Sequence, residues 1–137
     1  MDENALLLGI QQMRSDPNYY AAEILRRKLG DAGALVANTD ENSEEQAAAR
    51  LLITTWEAIA VLIRGVRTKD KIYEVTPICH MFDELKPAID YFRKQAPEFA
   101  VEFEKLNADY NAWLKKKKKK GTYVSAACGG LLHARFG

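Results

Sequence analysis

Cysteine is scarce in this chain: two in 137 residues, Cys79 and Cys128. A secreted scaffold stapled by disulfides needs more of them at closer spacing, so a reducing, cytoplasmic setting is the expectation. Histidine is equally rare, with His80 and His133 alone. Long apolar runs are missing too, and no uninterrupted stretch reaches the ~18 residues of a bilayer span. The start, Asp2 and Glu3 ahead of Leu6-Leu7-Leu8, lacks the basic opening of a signal peptide. No G-x-x-x-x-G-K-S/T, G-x-G-x-x-G or H-E-x-x-H is present, which removes the common phosphate-cradling and zinc-hydrolase signatures.

What is present is an ordinary globular composition, 47% hydrophobic and 28% charged. Length and composition predict one domain with a core large enough to fold without staples. The net charge of +1 conceals an asymmetry. Residues 1–114 carry all 19 acidic residues but only 13 of the 20 Lys and Arg, a net charge of −6. Residues 115–137 carry Lys115, Lys116, Lys117, Lys118, Lys119, Lys120 and Arg135, a net charge of +7. The expected organisation is a helical domain over 1–114 and a basic appendage over 115–137.

Helical periodicity dominates the body. Leu6, Ile10 and Met13 mark one face of a first helix. Asp16-Pro17 reads as an N-cap and first helical position. The helix it opens runs to about Leu29, with Tyr20, Ile24 and Leu25 expected inward and Gly30 as the stop. Glu23 and Arg27, four apart, predict weak surface support. Residues 30–42 read as a connector in which Ala34-Leu35-Val36 docks on the body. Ser43 and Gln46 fit a capping box. From there to about Val66 an apolar stripe of Leu52, Trp56, Ile59, Ile63 and Val66, widened by Leu51, Leu62 and Ile53, predicts a central helix, too short to cross a bilayer.

A further stripe from Ile72 to Phe92 keeps helical phase across Pro77 and Pro87, which predicts one bent helix. Pro97 is expected to open a last helix carrying Phe99, Phe103, Leu106, Tyr110 and Trp113. Thr122-Tyr123-Val124 is too short to predict a strand. The fold class is therefore all-α: a single-domain antiparallel bundle of about five helices with a basic C-terminal tail.

Three strings carry a resemblance: WEAIAVLIRG at 56–65, FDELKPAIDYFR at 82–93 and FEKLN at 103–107. They resemble an uncharacterised bacterial family, domain-of-unknown-function family number 4760, over roughly residues 50–113. The matching positions are Trp56-Glu57, Gly65, Leu85-Pro87-Ile89-Arg93 and Phe103-Glu104-Leu106. The resemblance implies a helical fold and no established activity, substrate or cofactor. Many relatives begin with a membrane anchor, and this chain has no such segment at its start. The lysine run and the residues after it lie outside the family pattern.

From the residues themselves, Glu57 and Arg93 are a candidate interhelical ion pair near the core. A four-ligand zinc set from Cys79, His80, Cys128 and His133 is disfavoured, because adjacent helical residues point about 100° apart. The same geometry argues against a Cys/His nucleophile pair, and adjacent carboxylates such as Asp83-Glu84 and Glu44-Glu45 read as solvated faces. No cofactor, metal or small-molecule substrate is expected, and the chain is read as non-enzymatic. The expected function is a protein-interaction or regulatory module of bacterial or phage type that binds a protein partner or itself. One alternative is sequence-nonspecific nucleic-acid binding through Lys115–Lys120. The run also reads as a solvated helix end or tail, the plainest of its readings, or as a polybasic membrane-surface segment. Another alternative is an acidic inhibitor of a host defence complex.

Overall fold

The computed structural model describes residues 2–119, and among them it is all-α. The helices are α1 (Glu3–Arg14), α2 (Pro17–Leu29), α3 (Ala32–Ala37), α4 (Glu44–Arg64), α5 (Asp70–Val75), α6 (Ile78–Arg93) and α7 (Val101–Lys119). Seven described helices replace the expected five, for two local reasons. The connector after Gly30 forms a helix of its own. The helix expected to bend through both prolines instead breaks at the first.

The starts of α1 to α4 follow the local capping chemistry. Asp2 Oδ1 accepts from Ala5 N at 2.7 Å, and Asp16 Oδ1 accepts from Asn18 N at 2.9 Å and Tyr19 N at 3.3 Å. Asp31 Oδ1 accepts from Ala34 N at 3.0 Å and so starts α3 inside the expected connector. Gly30 ends α2 at φ 105°, a left-handed conformation that other residues rarely adopt. At α4 the Ser43 hydroxyl accepts from Gln46 N at 3.2 Å. The return half of the capping box is replaced, because the Gln46 amide donates elsewhere, to Asn38 O and the Tyr91 hydroxyl.

Pro77 and Pro87 behave differently. Thr76 takes an extended conformation (φ −102°, ψ 122°), as a residue before proline prefers, and this separates α5 from α6. Pro87 stays inside α6 on its exposed side. Gly33 of α3 faces Pro87, where a Cβ would sit in ordinary contact at 3.5 Å from Pro87 Cβ; its tighter neighbour would be the cap oxygen Asp31 Oδ1 at 3.0 Å.

The last helix begins at Val101, not at Pro97. Residues 97–100 are turns, and Ala100 at φ 66° is the one positive-φ non-glycine among the described residues. α4 runs through the middle of the bundle and touches α1, α2, α3, α6 and α7. Trp56 is fully buried on it, stacked on Phe103 at 5.5 Å with an 18° interplanar angle. Phe82 meets the edge of the same Phe103 ring at 5.2 Å. Leu52, Ile59, Ile63, Leu85 and Ile89 complete the centre, so the predicted stripes of α4 and α6 mostly face inward; Leu62, expected to widen the α4 stripe, is 39% exposed, and Val75, expected in the stripe from Ile72 to Phe92, is 55% exposed at the end of α5.

Candidate functional site

Glu57 and Arg93, expected as a pair, take separate partners on one loop. The Glu57 carboxylate accepts from Glu102 N at 3.2 Å and Phe103 N at 2.7 Å, part-buried amides of the first turn of α7 that have no partner within the helix. Ala100 precedes this turn and has no side-chain acceptor, so a carboxylate from α4 takes the cap's place. Arg93 instead donates through Nε to Phe99 O at 2.8 Å and pairs through Nη1 with Glu104 Oε2 at 3.0 Å. Three residues of the resemblance motif, Glu57, Arg93 and Glu104, thus converge on the connection from α6 to α7. Arg64 adds a bridge to Glu102 at 2.8 Å. The cluster holds a helix in register by pairing its side chains with backbone groups and opposite charges.

A second polar cluster has no signature in the sequence. The inward face of α2 is Tyr19, Ala22, Glu23 and Arg26, while Tyr20 is 62% exposed and Ile24 and Leu25 are partly buried. Arg26, 5% exposed, donates to both Glu23 oxygens at 3.2 Å and to Glu84 Oε2 of α6 at 2.9 Å. The expected surface support of Arg27 by Glu23 is a 3.9 Å contact on a largely exposed arginine. Burial works against the charge of Arg26, yet Glu23 and then Glu84 outweigh it and raise its pKa.

One turn earlier on α2, the buried Tyr19 hydroxyl accepts from Trp56 Nε1 at 2.9 Å. Burial, reinforced by Glu23, pushes the Tyr19 phenol up to about 12. The Arg14 guanidinium covers the Trp56 ring at 5.5 Å. A partner for Arg26 lying 58 residues away leaves no local signal, so the rotation of α2 is not legible in its own sequence.

Around the N-terminal end of α4 lies a cleft of about 380 Å3, bounded by the loop before α4 and the C-terminal end of α6. Gln46, 2% exposed, forms its floor and donates to Asn38 O at 2.8 Å and to the Tyr91 hydroxyl at 3.0 Å. Arg50 is anchored by Glu41 O at 2.8 Å and, more loosely, by Gln46 Oε1 at 3.5 Å. Lys94 Nζ lies 5.7 Å from the centre of the Tyr91 ring.

Of the lysine run, α7 continues through Lys119, and Lys120 lies outside the described residues. Lys115, Lys116 and Lys118 are exposed. Lys117 is partly covered, 3.7 Å from Asp70 and 5.9 Å from the centre of the Trp113 ring. Cys79 and His80 sit partly buried on α6, and Cys128 and His133 lie outside the described residues. Among the described residues no three His, Cys, Asp or Glu side chains gather as a metal site.

α4 also corrects the expectation about length. Its 21 residues, with a mean hydropathy of 1.4 over the best window, are long and apolar enough to cross a membrane; half of that window is buried inside the fold. At 1.5 Å per residue such a helix is ~31 Å long, and the core helix of a bundle meets the same criteria.

These features define a class: an all-α bundle whose interior charges tie helices together. Within that class the chain belongs to the family described as Domain of unknown function (DUF4760), whose model matches residues 7–110. That span reaches beyond the motifs, back to α1. No curated protein and no solved structure matches the chain.

Proposed function

We propose that this chain is a non-catalytic protein-interaction module that self-associates along one face of α4. The observation that carries the reading is an uncovered strip on the longest and most apolar helix. Ala47, Thr54, Ala58, Val61 and Leu62 are exposed along it, with Val61 at 42% and Leu62 at 39%. At its N-terminal half the strip widens into a shallow, mainly apolar groove in which Ala21 and Leu25 of α2 face Ala47 and Leu51 of α4.

The occupant is a second copy of the same chain. Within a body of net charge −6, the exposed side chains of the strip from Ala47 to Leu62 are uncharged, with Glu44 at the end of its groove and Arg50 and Glu57 along its edge, so two acidic copies meet there mainly through apolar atoms. A two-fold contact then places the same strip on both sides. Size-exclusion with light scattering on the full chain tests the reading. The expected result is a dimer that Leu51→Glu or Val61→Glu converts to a monomer with unchanged helicity. A monomer at every concentration overturns it.

A second reading, nonspecific nucleic-acid binding, is favoured by the exposure of Lys115, Lys116 and Lys118 on the last turns of α7. A mobility-shift salt series on the full chain, with these three lysines changed to Gln, tests it. Binding that is unchanged by the substitutions excludes the run as its source.

A further inference from the structure

We propose that the cleft between α4 and α6 binds a small organic oxyanion, a phosphate- or carboxylate-bearing metabolite. This site is separate from the uncovered α4 strip and does not depend on it. The cleft gathers hydrogen-bond donors. Both of its cations, Arg50 and Lys94, are held by neutral groups: Arg50 by a backbone carbonyl and an amide oxygen, Lys94 over an aromatic face. Among the described residues neither has a carboxylate within ion-pair distance. Their charge is therefore not spent inside the fold, unlike that of Arg26 or Arg93.

The floor adds direction. The buried Gln46 amide donates to the Tyr91 oxygen, which leaves the Tyr91 hydroxyl hydrogen to donate into the cleft. Arg50 keeps further N–H groups for a planar, two-oxygen contact of the kind that carboxylate and phosphate accept. Glu41 supplies the single carboxylate among the lining residues, so the cleft carries two positive charges and one negative in a body of net charge −6. At about 380 Å3 it falls in the size range of small-molecule sites, ~300–1,000 Å3. Gln46 and Arg50, clamped at one end by the loop before α4, are already in position before any ligand arrives, which lowers the ordering cost of binding.

Calorimetric titration of the full chain with inorganic phosphate, adenosine monophosphate and citrate, at fixed ionic strength, tests the proposal. Saturable binding of phosphate and the nucleotide identifies phosphate chemistry, and binding of citrate alone identifies carboxylate chemistry; either supports the site. Arg50→Gln is expected to weaken binding by about tenfold or more, the loss of a charge-assisted contact. Lys94→Gln, an exposed substitution that leaves the clamp intact, is expected to weaken it several-fold and decides the matter if the Arg50 variant is unstable. Glu41→Gln is expected to tighten binding, a gain that a merely structural role for the loop does not predict. The proposal fails if none of the three probes saturates. It fails equally if affinity is the same in the Arg50 and Lys94 variants, or if sodium chloride reproduces the heat.

Discussion

Arg26 of α2 and Arg50 of α4 are in opposite electrostatic situations. Arg26 is nearly inaccessible and shares its charge between Glu23 and Glu84. Arg50 is partly open, and the oxygens that hold it are neutral. The first arrangement ties α2 to α6 and has nothing left for a ligand. The second fixes the guanidinium while leaving its charge unmatched. The two arginines thus differ in the charge of their acceptors more than in being held in place, and the ligand-binding role proposed for Arg50 rests on that difference.

The sharpest way to break this comparison is to remove Arg26. Arg26→Met leaves Glu23 in the interior with only the largely exposed Arg27, 3.9 Å away, as a counter-charge. It is expected to cost ~3–5 kcal/mol in urea unfolding, whereas an apolar replacement of the whole triad is expected to recover most of that loss.

Next in size is the neighbouring Tyr19. Tyr19→Phe leaves the buried Trp56 N–H without its acceptor, an expected loss of ~1–3 kcal/mol in thermal unfolding followed by near-ultraviolet dichroism. Alkaline pH probes the same group. Folding raises the Tyr19 phenol from 10.0 to about 12, and Tyr73, buried and near Asp109, moves to about 12 as well. The folded state therefore holds these protons more tightly than the unfolded chain. Their contribution is complete below pH 10.0 and is lost as pH rises through about 12. Between these pH values each tyrosine contributes a slope of at most about 1.4 kcal/mol per pH unit, and the Tyr19→Phe variant is expected to keep only the Tyr73 share, about half of the summed slope.

Glu57→Ala is smaller, ~1–2 kcal/mol, because it removes a cap and leaves no charge stranded. Its signature is local: faster hydrogen exchange at the Glu102 and Phe103 amides than elsewhere in α7. The smallest effect completes the comparison. Arg50→Gln is expected to change stability by under ~1 kcal/mol, since its partners are a solvated loop carbonyl and an amide. A loss as large as that of Arg26→Met would make Arg50 structural and remove the contrast.

Much of the fold is legible in the sequence because burial and periodicity agree. Leu52, Trp56, Ile59 and Ile63 are apolar, recur at helical spacing and do lie at the centre. Asp16-Pro17 and Ser43 announce helix starts through chemistry confined to one turn. Legibility ends where a distant partner decides. Tyr20, Ile24 and Leu25 make the more hydrophobic face of α2, yet Glu23 and Arg26 turn inward because Glu84 and Trp56 are there to meet Arg26 and Tyr19. Glu57 and Arg93 do serve the same connection, but their partners are backbone groups and Glu104, which no pattern of spacing displays. The two prolines have the same local chemistry, and the broken helix at Pro77 beside the continuous one at Pro87 reflects the different course of the chain around each.

By itself, then, the amino-acid order determined the helical class, the starts of α2 and α4 and most of the inward stripes of α4 and α6, because these rest on hydrogen bonds and apolar spacing within a few residues. Tertiary structure alone decided which charges are neutralised, which carboxylate caps α7 and where a cleft opens beside Arg50. Those outcomes depend on Coulomb and hydrogen-bond partners tens of residues away, whose distances exist only once the helices have packed.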